Sequence, residues 1–349
     1  MVKLARGIIE IILDEFNQKI LLHRISDPFW FQAFGCVLGF DWHSSGVTTV
    51  TCGAIKQALE PSQHGLALAG GKGGTSRKTP EQIVQFGETF NLSTSKLDHL
   101  QNCSKLSAKV DSAVLQDNHQ LYHHVILFDE SGSWSVIQQG LDAENKYARR
   151  YHWLEDNVSD FTETPHDAIL GNTQQYQVLD MTAEQSSECR KLSVDLVKDN
   201  PNKLKNHIIK TSPASQETLD NWIPDQKNNK KLLEMDREIN WPRLIDAYEI
   251  QPKDYEELIS ISGIGPATVR ALALIGELIY GVEPSWQDPV KYTFTVGGKD
   301  GVPYPVDKKV MDETTEILKQ GIQEAKVGDR DKIGALQRLR RFVPEDVVV

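Results

Sequence analysis

Apolar residues at helical spacing (Leu4, Ile8, Ile11, Ile12 and Ile20) predict an amphipathic helix over residues 2–22. A further helix is expected over Val47–Leu59. The intervening Ser26–Ser45 is dense in aromatic residues and glycine and ends in Asp41-Trp42-His43-Ser44-Ser45. Leu66–Ala69 is a short apolar run that reads as a strand, feeding the loop Gly70-Gly71-Lys72-Gly73-Gly74. Thr79-Pro80-Glu81-Gln82 marks the next helix start, with Thr79 as cap, Pro80 in the first turn and Gln82 closing a capping box. Leu121–Phe128 and Trp134–Gln139 are β-rich runs separated by Asp129-Glu130-Ser131-Gly132-Ser133, the pattern of a hairpin. From about residue 182 the texture becomes polar and helical, broken near Pro201, Pro213, Pro224 and Pro242. The fold class expected is therefore α+β, with a mixed α/β domain over 1–178 followed by a helical domain over 179–349.

Composition narrows this picture without deciding function. With 39% hydrophobic and 25% charged residues among 349, the chain can bury cores for two ordinary domains and is not disordered as a whole. No apolar run approaches the roughly 18 residues that a membrane span needs, and Met1–Arg6 leads into the helical pattern without a signal-peptide cleavage site. Cys36, Cys52, Cys103 and Cys189 lie far apart with no CxxC, so free thiols in a reducing cytoplasm are expected. A net charge of −11 runs against binding to phosphate, which needs clustered bases. The charge is patchy, however: Gly70–Pro80 carries Lys72, Arg77 and Lys78 with no acid, whereas Leu154–Thr164 carries four acids and no base.

The most specific local signal is LISISGIGPATVRAL, residues 258–272. Its Gly263-Ile264-Gly265 core, within about 255–281, resembles a helix-hairpin-helix nucleic-acid-binding motif. Two glycines permit a tight turn and leave N–H groups open at the start of the second helix, where a phosphate oxygen can sit without any base being read. Thr268 and Arg270 are then placed to reach the backbone. Downstream, Asp307 stands in a Val-Asp setting that resembles the catalytic aspartate of helix-hairpin-helix base-excision glycosylases. Where bifunctional members carry a Schiff-base lysine this chain has Ala267, so only a monofunctional reaction is open to it.

A second constellation lies upstream. Lys109, Asp111 and Asp117 precede Tyr122-His123-His124 on one strand, with Gln138-Gln139 on its hairpin partner. Carboxylates and an imidazole from Asp41, His43, Asp111, Asp117, His123 and His124 are the donor types that hold a divalent ion, Mg²⁺ or Mn²⁺, for phosphodiester hydrolysis. Consecutive histidines on a strand point to opposite faces, so at most one of the pair faces a site. Lys109 and Asp111 alternate along a segment read as extended, which places the ammonium where it would meet the scissile phosphate. Residues 70–78 (GGKGGTSRK) lack a P-loop closure, yet their N–H groups with Lys72, Arg77 and Lys78 suit phosphate. Arg149-Arg150-Tyr151-His152-Trp153 mixes bases with aromatics, as a nucleobase-stacking surface does.

FWFQAFGCVLGFDWHSSGVTT, GGKGGTSRKTPEQI, QLYHHVILF with WSVIQQG, ARRYHWL and GGKDGVPYPVD together resemble the prokaryotic family called domain of unknown function 763. The resemblance runs over nearly the whole chain. It implies archaeal and bacterial hosts, many of them thermophiles, and relatives with a short extra segment before the position of Met1. It carries no activity with it. Three functions remain open: a DNA-processing nuclease that depends on a divalent metal, a monofunctional glycosylase using Asp307, and a non-enzymatic adaptor that recruits a helicase or repair factor.

Overall fold

The computed structural model describes residues 1–40, 46–144, 146–171, 173–211, 239–290 and 308–342. Among the described residues five helices come first: α1 (Val2–Glu15), α2 (Gln18–Ser26), α3 (Pro28–Leu38), α4 (Val47–Ala58) and the single turn α5 (Pro61–His64). The helix expected over 2–22 is in fact two, because the backbone leaves helical angles at Phe16 and Asn17 caps a new start by accepting from Ile20 N at 2.9 Å. The aromatic stretch Pro28–Leu38 is a helix buried on every side, so its sequence shows no polar face. Asp27 caps it, accepting from Trp30 N at 2.6 Å, with Pro28 at the first position.

β1 (Leu66–Lys72) runs into a tight turn over Gly73–Lys78, then come α6 (Thr79–Thr89) and α7 (Thr94–Lys109). Thr79 is already helical, and its hydroxyl donates to Ser76 O, so the expected capping box does not form. Gln82 instead reaches back across the fold: its Oε1 accepts from Gly70 N at 2.9 Å and from Lys56 Nζ at 2.8 Å. Val110–Val114 continues α7 as one wide π-helical turn before β2 (Leu115–Gln116). Lys109 and Asp111 are thus on coiled backbone and do not share one side of an extended segment.

β3 (His119–Asp129) and β4 (Trp134–Asp142) form the expected hairpin, whose turn Asp129 ties by accepting from Ser131 N at 2.8 Å and Ser133 N at 3.0 Å. With β5 (Ala148–Leu154) and β6 (Ala168–Gly171) they build an antiparallel five-stranded sheet in the order β1-β3-β4-β5-β6. β7 (Leu179–Asp180) pairs with β2 outside it. Among the described residues beyond β7 the elements are helices: α8 (Ser187–Lys198), α9 (Pro201–Thr211), α10 (Trp241–Ile250), α11 (Tyr255–Ser260), α12 (Pro266–Tyr280), α13 (Lys308–Glu324) and α14 (Asp329–Phe342). The class is α+β with a helical C-terminal region, as expected.

Strand alternation gives the sheet two buried faces. Ala67, Ala69, Ile126, Phe128, Val136 and Trp153 face a core completed by α7, α8, α11 and α12. Leu66, Leu68, Val125, Leu127 and Ile137 face a second core completed by α1–α4 and by α13 and α14. The last two helices return to the first, with Gly7 so close to Ala325 that a Cβ there would sit 2.6 Å from the alanine methyl. A division at residue 178 consequently does not separate the cores, since each draws on both sides of it. Among the described residues no helix is long and apolar enough to cross a membrane.

Candidate functional site

The polar residues of the sheet cluster toward one end, and the two faces treat them differently. On the α7/α12 face, His124, Gln138, Arg149, Tyr151 and Trp153 meet the acids singled out from sequence. Asp111, 1% exposed, accepts from Gln138 Nε2 and His166 Nε2 at 2.5 Å each and from Trp153 Nε1 at 3.0 Å. Burial pushes its carboxyl up from the ordinary range, and the His166 contact only partly offsets this. His124 extends the chain of bonds, linking Gln138 Oε1 at 3.0 Å to Ser104 Oγ at 2.7 Å. Asp117 accepts from Tyr151 OH at 2.7 Å, Arg149 at 3.0 Å and His119 N at 3.0 Å. Burial alone raises its carboxyl, but the His119 bond and the Arg149 charge outweigh that and hold it below the usual range. Arg149 is closed from its far side by a bidentate pair with Asp288 at 2.8–2.9 Å.

Each carboxylate oxygen of Asp111 and Asp117 and both nitrogens of His124 already have protein partners, and these side chains and Arg149 are buried. Lys109 reaches neither acid: its ammonium donates to Ile264 O. Among the described residues no group of three His, Cys, Asp or Glu side chains is placed to hold a metal ion. Asp41, His43 and Asp307, the other residues expected at a metal or catalytic site, lie outside the described residues.

The opposite face carries His123, Gln139, Arg150 and His152 in register. Arg150 is buried against α3 and α4, donating to Gln32 Oε1 at 3.1 Å and to His152 Nε2 at 2.8 Å, with its guanidinium 4.6 Å from the Phe31 ring centroid. It is therefore a core arginine, not the surface base expected. His123 differs from every neighbour. It is 2% exposed, and neither ring nitrogen has a hydrogen-bond partner. Burial, aided by His124 and the Lys72 charge, lowers its pKa to about 4, so the imidazole is neutral at ordinary pH.

Backbone geometry explains how His123 meets its surroundings. β3 and β4 lose register between Leu121 and His123, leaving Tyr122 as the extra residue of a β-bulge. Bulges re-aim side chains and gather next to active sites. Here the Tyr122 hydroxyl accepts from Gln139 Nε2 at 2.7 Å, which holds the ring beside His123, the strand neighbour of Gln139. On the other side β1 pairs Lys72 with His123, and the Lys72 ammonium stands 5.7 Å from the Tyr122 ring centroid. Gly70 at φ +98 must be glycine, because a Cβ would lie 2.3 Å from His124 O. Lys72, Arg77 and Lys78 are exposed around this end of β1, and Lys56 donates to Gly70 O at 2.7 Å from below. Among the described residues no carboxylate pairs with any of these four cations.

The second expected contact surface is the α11–α12 turn. Gly263 adopts φ +89, and Gly265 is the residue before α12 with open space where a Cβ would go. The turn is docked through its carbonyls: Lys105 binds Ser260 O at 3.1 Å, Lys109 binds Ile264 O, and Gln116 binds Pro266 O at 2.9 Å. Arg243 of α10 lies over Gly263. Thr268 is buried and Arg270 stands 5.3 Å from the Trp286 ring centroid, so neither projects as expected. Sequence reading missed Lys56, His166 and Asp288, and it gave Tyr122 no role of its own. Lys56 is the one charged residue of the 47–59 segment, but no local pattern marks Asp288, 139 residues from its partner.

A family model described as Protein of unknown function (DUF763) matches residues 1–306, and the chain belongs to that family. Neither the curated proteins nor the solved structures gave a match.

Proposed function

We propose that this protein binds the phosphate backbone of nucleic acid on the ledge at the end of β1 and hydrolyses a phosphodiester at His123. One observation carries the reading: a buried, neutral imidazole with both nitrogens unpartnered stands in register with Lys72, among cations that no described carboxylate neutralises. An unsatisfied buried polar group costs about 1–3 kcal/mol, a cost that a bound group would relieve. In this reading a phosphodiester lies against Lys72, Arg77 and Lys78; His123 takes the proton of the attacking water as its oxygen bonds phosphorus, and returns it to the ester oxygen as that P–O bond breaks. The anion's charge favours the imidazolium, so binding raises the basicity of His123 from the low value that burial gives it. Lys72 offsets charge developing on the phosphoryl oxygens. The turn at Gly263–Gly265 supplies a second backbone contact through its N–H groups.

The test uses the full chain with labelled DNA and RNA oligonucleotides, with added Mg²⁺ or Mn²⁺ and with EDTA. Cleavage by the wild type, its loss in His123→Leu and weaker binding by Lys72→Glu are expected. Salt-sensitive binding without turnover in any buffer would make the protein an adaptor, and base release without strand scission would favour the glycosylase reading.

A further inference from the structure

The same end of the sheet restricts which form of nucleic acid can be processed, an inference that rests on the function proposed above. We propose that the site takes an unpaired nucleotide, its base stacked on Tyr122 and its flanking phosphates on Lys72, Arg77 and Lys78. His123 is only 2% exposed, and its ring is flanked by Gln139 on β4 and Lys72 on β1. The phosphates of an intact duplex lie on a stiff exterior and can rest on the exposed cations without bringing a diester to a buried imidazole. An unpaired nucleotide, or one flipped out of the stack, can bring its diester to this depth.

The surroundings of His123 are suited to that guest. Tyr122 is half-buried and is the one aromatic side chain that the bulge sets beside His123. Its hydroxyl is held by Gln139 Nε2 at 2.7 Å, which anchors the tip of the ring. The Lys72 ammonium stands over that ring at 5.7 Å and is exposed on a four-carbon stem. A lysine so placed can swing off the ring within nanoseconds. A base then replaces it on the ring, while the ammonium moves to the phosphate. Base–aromatic stacking of this kind is tolerant of sequence. The cation, the aromatic ring and the unpartnered imidazole thereby act on one nucleotide.

The experiment compares the affinity of the full chain for a single strand, for the same sequence as a blunt duplex, and for that duplex carrying a short central gap. Anisotropy titrations at two salt concentrations serve as the readout, followed by cleavage of each substrate. The single strand and the gapped duplex should bind at least tenfold more tightly than the blunt duplex, with scission confined to unpaired positions. Tyr122→Ala should abolish the preference, whereas Tyr122→Phe, which keeps the ring, should retain most of it. Equal affinity and cleavage for blunt and unpaired substrates, still weakened by Lys72→Glu, would overturn this inference and leave the proposed function standing. No salt-dependent binding to any of the three would remove both.

Discussion

His123 and His124 are neighbours on one strand, both buried and both held neutral with pKa lowered to about 4, yet they belong to different kinds of surroundings. His124 is bonded at both nitrogens, to Ser104 and Gln138, in a chain that ends on Asp111. His123, on the opposite face, is bonded at neither. The α7/α12 face is a closed polar network in which each acid already has its donors. Such a network rigidifies a core when all its members are satisfied, and any loss from it is costly. The other face leaves one imidazole unsatisfied beside cations that lack acids. Residue type and depth are alike on the two faces, so what separates scaffold from candidate site is whether the polar groups have partners.

The strongest way to test this contrast is to remove a carboxylate from the closed network. Asp111→Ala leaves Gln138, Trp153 and His166 without their acceptor, and the loss should be about 3–5 kcal/mol of folding stability, seen as a lower urea midpoint. An unchanged midpoint would mean that the network is not structural. The histidine pair gives a smaller and sharper comparison. His124→Leu strands Ser104 and Gln138 and should cost about 1–3 kcal/mol, while His123→Leu removes an unpartnered group and should leave stability equal or higher. Equal losses in the two variants would erase the distinction between the faces.

Acid separates the two states of the chain by the same logic. Unfolded histidines take up protons near pH 6.5, whereas His123 and His124 when folded do so only near pH 4. Stability is complete above pH 6.5 and falls as pH drops through that window, with a slope of up to about 1.4 kcal/mol per pH unit for each histidine. His123→Leu should make the slope shallower by about one proton, measurable by urea titration at several pH values. The smallest effect on the fold belongs to the surface. Gly265→Glu meets open space and should melt as the wild type does, yet it places a negative charge at the α12 start and should weaken nucleic-acid binding. Lys72→Glu should lower the salt slope of binding by about one. Unaltered binding in both variants would take the two surfaces out of the functional reading.

Much of the fold was legible where local chemistry decides it. The β3–β4 hairpin followed from two β-rich runs and the Asp129–Ser133 turn, and the 47–59 helix from its apolar spacing. The Pro28–Leu38 helix was not, because burial on all sides erases the polar face that reveals a period. Thr79 and Gln82 showed the spacing of a capping box, but Gln82 is engaged by Lys56 and Gly70 from other elements. The opposite orientation of His123 and His124 could be read from strand alternation. Which of them has partners could not, since Ser104 and Gln138 reach His124 from a helix and a neighbouring strand. Asp111 and Asp117 carried the residue types of a metal site, and only the donors gathered around them through the fold show that they are occupied.

The close crossing of α1 with the segment after α13 also bears on how the protein is made. Gly7 rests against Ala325, and Ile8 against Gly321, although more than 300 residues of chain separate them. A ribosome adding about 5–20 residues per second releases α1 tens of seconds before its cover exists. Each nascent copy therefore carries an open apolar seam on α1 until Gly321 and Ala325 have been made.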